Sequence, residues 1–135
     1  MTFRRGLPVV ALSAVLVAGC GGDSKQETEA EPPRAPDKAL VEIGKVRSGL
    51  DEALATYKSG DAKAADTQVG DTYLEHFELV EGPLEAKDAE LNETLEDAIR
   101  EELREKMQAK APEGEVADLV KQIEADLDKA EAALR

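Results

Sequence analysis

The chain has 135 residues, with 17 basic and 30 acidic side chains and a formal net charge of −13, a balance that repels nucleic-acid phosphates and excludes nucleic-acid binding. It holds one cysteine, Cys20, and one histidine, His76, so no intrachain disulfide can form and neither a Cys-His nor a Ser-His-Asp constellation has a sequence signature. No glycine-rich phosphate loop followed by a Lys-Ser pair is present, and no enzymatic activity is expected.

Arg4 and Arg5 precede an apolar run from Leu7 to Gly19. That run is shorter than the roughly 20 residues needed to span a bilayer, and it ends in small residues, which is the layout of an export signal. Leu16-Val17-Ala18-Gly19-Cys20 closes it as a lipobox. Residues 1–19 are therefore expected to be a lipoprotein signal peptide. Cys20 is expected to become the first residue of the mature chain, its sulfur consumed in a thioether to diacylglycerol. Several buried acyl chains hold a protein stably at a membrane where one does not. Loss of Arg4 and Arg5 leaves 15 basic against 30 acidic side chains, a net charge of −15.

Residues 20–36 are almost devoid of large apolar groups and are expected to form a lipidated flexible tether. Residues 37–135 are large enough for one core and are dominated by Leu, Ala, Glu, Lys and Asp, a composition that favours helices.

The first predicted helix runs from about Lys38 to Lys58 after Asp37 as N-cap, with Ile43, Val46, Leu50, Ala53, Leu54 and Tyr57 on one face. Ser59-Gly60-Asp61 ends it, with Gly60 in the left-handed position and Asp61 capping the next helix. The second carries Ala65, Val69, Tyr73, Phe77 and Val80 inward and is predicted to kink or break at Gly82-Pro83. The third starts at Asp88 and aligns Leu91, Leu95, Ile99, Leu103 and Met107 until Ala111-Pro112. The fourth starts near Pro112 or Glu113 and aligns Val116, Val120, Ile123, Leu127, Ala130 and Leu134. Four apolar stripes with short links predict an all-α, up-down-up-down four-helix bundle.

Asp71, Glu75, Glu78, Glu81 and Glu85 recur every three or four residues on the second helix, opposite its apolar face. Such a stripe serves either as a solvated face or as a set of oxygen ligands for a hard cation such as Fe³⁺, Ca²⁺ or Mn²⁺. His76 sits at the edge of the apolar face, as a boundary residue or as one nitrogen ligand beside Glu75 or carboxylates of a neighbouring helix.

Tyr57, Gly60-Asp61, Tyr73-Leu74-Glu75, Phe77-Glu78, Glu81 and Leu84 follow a pattern Y-x-x-G-D, then Y-L-E-x-F-E-x-x-E-x-x-L. Over roughly Leu40 to Leu134 the chain resembles the extracytoplasmic helical domain of bacterial high-affinity iron permeases. The resemblance implies a detached copy of that domain held at the membrane by lipid, an accessory to iron or other metal-cation uptake. It carries over Glu75, Glu78 and Glu81 as cation ligands and an iron permease as partner. The R-E-x-x-E signature of the permease's membrane part is not met, because Arg104 stands where its second glutamate belongs. The alternative is a structural or regulatory lipoprotein that binds a protein partner and no metal.

Overall fold

The computed structural model describes residues 35–135. The predicted signal, Cys20 and most of the predicted tether lie outside the described residues. Four helices and no strand are present among them. They are α1 (Ala35–Lys58), α2 (residues 62–85), α3 (residues 89–108) and α4 (Glu113–Leu134). None is long and apolar enough to cross a membrane.

Helix α1 already includes Ala35 and Pro36, so Asp37 lies inside the helix and not at its cap. Pro36 is compatible with a helical start, because a proline in the first turn gives up an N–H that has no intrahelical acceptor there. At the other end, Gly60 adopts φ +98°. Its N–H bonds Tyr57 O at 2.9 Å and that of Asp61 bonds Thr56 O at 3.3 Å, which closes a Schellman turn. The Asp61 carboxylate then accepts from Ala64 N at 3.0 Å and starts α2. Asp88 repeats that cap for α3, accepting from Leu91 N at 3.0 Å.

Of the kink or break expected at Gly82-Pro83, the break does not occur, and the helix continues to Glu85. Pro83 falls in the last turn, and the carbonyl it deprives of a donor belongs to Leu79, whose residue is 58% exposed. Water can serve that oxygen, so the usual penalty of an interior proline is reduced.

Both middle helices contain a wide turn that the periodicity did not lead us to expect. Helix α2 is α-helical over Ala62–Thr72 and Glu78–Glu85 with a π turn at Tyr73–Phe77, and α3 has another at Ala98–Glu102. The apolar positions explain them. Leu91, Leu95, Ile99, Leu103 and Met107 are spaced strictly by four, so on a plain α-helix the stripe would advance about 40° per step and wander off the core. One turn with i→i+5 bonding takes up the surplus residue and returns the stripe to the core. Ala65, Val69, Tyr73 and Phe77 make the same demand of α2.

All five positions of that α3 stripe except Leu91, which is half-buried, are buried, together with Phe77, Leu84, Ile43, Leu50, Ile123 and Leu127 from the other helices. Helix α1 lies against α2 and α4, and α3 lies against the same two. The Tyr57 hydroxyl donates to Ala111 O at 2.6 Å and ties the end of α1 to the link between α3 and α4. That link turns through Lys110 at φ +55°, a left-handed conformation held by Lys110 N–H to Met107 O at 3.1 Å and Ala111 N–H to Lys106 O at 3.0 Å.

Candidate functional site

Helices α1 and α2 approach closely because Gly49 presents only a hydrogen to Thr72. A Cβ on Gly49 would overlap Thr72 Oγ1 and stand 2.8 Å from its Cγ2. Beside this contact opens a polar groove of about 360 Å³, lined among others by Glu52, Gln68, Asp71, Thr72, Glu75 and His76. Thr72 is 7% exposed, and Gln68 Oε1 is buried without a hydrogen-bond partner among the described residues.

His76 is fixed from the facing helix. Its Nδ1 lies 2.8 Å from Glu42 Oε2, while Glu42 Oε1 accepts from Lys45 Nζ at 2.8 Å. The Lys45 hydrogen bond, opposed by partial burial and helped by His76, holds the Glu42 carboxyl below the usual carboxylate range. His76 is therefore half-buried at the edge of the apolar face of α2 and partnered by a carboxylate on α1, not by Glu75.

The predicted cation ligands diverge. Glu75 lines the polar groove, Glu78 is exposed and Glu81 is half-buried. Glu81 Oε1 accepts from the Tyr73 hydroxyl at 2.5 Å. Burial first, and then the Glu81 hydrogen bond, push the Tyr73 phenol well above its ordinary value, so it remains a neutral donor. Among the described residues no group of three or more His, Cys, Asp or Glu side chains is placed to hold a metal ion. Cys20, the predicted lipidation site, lies outside the described residues.

On the other side of α2, Arg100 from the π turn of α3 reaches Tyr73 in the π turn of α2. The Arg100 guanidinium carbon stands 5.9 Å from the centre of the Tyr73 ring, and that ring tilts by 35° against Phe77 with centroids 5.8 Å apart. One turn along, Arg104 Nε donates to Asp66 Oδ1 at 2.8 Å and Gln108 Nε2 donates to the same oxygen at 3.1 Å. Burial pushes the Asp66 carboxyl up, but these two hydrogen bonds outweigh it and hold it below the usual range. Both arginines are thus engaged by carboxylates, Arg100 through Glu96 at 2.7 Å.

Sequence reasoning missed Glu52, Gln68 and Thr72 as groove residues and Glu42 as the partner of His76. Glu42 and Glu52 sit on α1, and only the pairing of α1 with α2 brings them to Glu75 and His76. Comparison with protein-family models, curated proteins and solved structures finds no match to this chain.

Proposed function

We propose that the chain is a lipid-anchored helical accessory protein at the extracytoplasmic face of the cell membrane, acting beside a metal-cation uptake system, with an iron permease as the partner class that the resemblance indicates. One observation carries it: the Leu16-Val17-Ala18-Gly19-Cys20 lipobox stands just ahead of a helical unit that is described from Ala35 onward. The unit has no catalytic role in this reading, since the His76 ring is bonded to Glu42 and not to a hydroxyl nucleophile.

The four helices are read as an up-down-up-down bundle. Glu42–His76 and Gly49–Thr72 pair α1 with α2 in opposite directions, and Asp66–Arg104 with Tyr73–Arg100 do so for α2 and α3. Lys106–Glu115 and Arg47–Asp128 bring α4 back along α3 and α1.

Cation binding in this reading is weak and diffuse, an attraction to the acidic face of α2 that carries Asp71, Glu75, Glu78 and Glu81, since among the described residues no three carboxylates converge on one ion. Calorimetric titration of the Cys20→Ser mature chain with Fe³⁺, Fe²⁺, Mn²⁺ and Ca²⁺ tests it. No saturable binding below about 1 mM removes the metal role, since even weak extracellular cation modules bind in that range. The second reading, a regulatory or structural lipoprotein that docks on a protein and binds no metal, is favoured by the commitment of His76 to Glu42 and of Glu81 to Tyr73.

A further inference from the structure

Among the described residues, three large aliphatic side chains are more than half exposed: Val41 and Leu74 at 60%, and Leu79 at 58%. Val41 and Leu79 do not stand alone. With Ala35 and Pro83 they line a groove of about 390 Å³ between the start of α1 and the end of α2, rimmed by Asp37, Lys38 and Glu42. Asp37 and Lys38 are of opposite sign, and Glu42 is already taken by Lys45 and His76. On a chain this acidic, the groove is therefore a place where apolar contact meets little uncompensated charge.

We propose that this groove is a membrane-contact surface that seats the domain on the bilayer holding the lipid of Cys20; the proposal rests on the lipid-anchor reading above. Its position supports that occupant over others. Ala35 forms the groove's edge and is also where the chain arrives from Cys20. Residues 21–34 form a single short link of at most about 50 Å when fully extended, and it joins the domain at the start of α1. The groove thus lies at the end of the domain to which the link from Cys20 is joined.

Two aliphatic side chains would not hold a free protein on a membrane, since even a single myristoyl chain does so only marginally. A tether changes the balance, because linking converts the second contact into an intramolecular one at an effective concentration in the millimolar range. The acidic remainder of the surface disfavours anionic lipid, so the surface suited to this contact is zwitterionic.

The test uses the full mature lipidated chain carrying Val41→Cys or Leu79→Cys. With Cys20 acylated, the introduced thiol is the only free one in the protein. Leu74→Cys is the control, because Leu74 lines a different cleft with Arg100 and Arg104. On phosphatidylcholine vesicles, the thiols at 41 and 79 are expected to react with a water-soluble maleimide about tenfold more slowly than in the unlipidated Cys20→Ser background. The thiol at 74 is expected to react equally in both. Equal reactivity at 41 in the two backgrounds, with the chain shown by mass to carry lipid and to sediment with the vesicles, overturns the groove and leaves the anchor intact. Shielding in native cell membranes but not on pure lipid also overturns it and assigns the groove to a protein partner. A chain whose mass shows no acyl group overturns the anchor reading and the groove with it.

Discussion

Gly49 on α1 and Thr72 on α2 share a space that holds one side chain and not two: a Cβ on Gly49 would overlap Thr72 Oγ1 and stand only 3.0 Å from Thr72 Cβ. The last distance matters because a Cβ cannot rotate away. Gly49→Ala is therefore expected to destabilise the protein by about 1–3 kcal/mol through overpacking, despite the better helix propensity of alanine. Gly44, with nothing within 4 Å of its would-be Cβ, supplies the contrast. Gly44→Ala is expected to gain about 0.5–1 kcal/mol. Denaturant melts of the two variants should move in opposite directions, and Thr72→Ala should recover part of the loss in Gly49→Ala.

Lys110 turns the link between α3 and α4 in a left-handed conformation that ordinarily falls to glycine. Its strain is local and its side chain is exposed. Lys110→Gly is expected to stabilise the fold by about 1 kcal/mol, measured as a raised urea midpoint with an unchanged slope.

Phe77 is fully buried while its neighbour Glu78 is exposed. Phe77→Ala is expected to cost about 3–5 kcal/mol, and Glu78→Ala less than about 0.5. The reverse order in thermal melts would mean that the π turn of α2 sits elsewhere.

The Asp66 carboxyl is held below the ordinary aspartate value of about 3.9 by Arg104 and Gln108. Its contribution to stability is complete above that value. As the pH falls, the unfolded chain takes up the proton first, and the contribution is lost between the ordinary value and the lowered folded one. Asp66→Asn should therefore flatten the stability curve in that acid window, against a wild-type curve that falls there. The loss at pH 7 should be modest, because the pair is partly exposed.

Cys20→Ser is expected to move the protein from the membrane to the soluble fraction with its circular dichroism spectrum unchanged. Labelling with a radioactive fatty acid should mark the native chain and not the variant.

Much of the helical layout was legible because its signals are local. Asp61 and Asp88 cap the helices they were expected to cap, Gly60 takes the left-handed turn, and the faces marked by Ile43, Val69, Leu103 and Val120 are buried. The π turns were also encoded, as unbroken spacing by four, but reading them requires comparing that spacing with the 3.6-residue turn and not merely noting recurrence. Lys110 offered no such signal, since nothing about lysine announces a positive φ. Asn92 and Asp126, each 8% exposed, look like surface residues in sequence and are covered only by their neighbours in space. The polar groove was least legible of all, because Glu52 reaches it, and Glu42 reaches His76, from a helix whose pairing the sequence does not state residue by residue.

Each wide turn in α2 and α3 also holds slack. Excising one residue from an ordinary helix swings everything beyond it by about 100°. Excising Glu101 should instead let the bulge close into a normal turn, with Ile99 and Leu103 then three apart and still aimed at the interior. Shortening by one residue is thus absorbed at these two points of the chain and punished elsewhere along its helices.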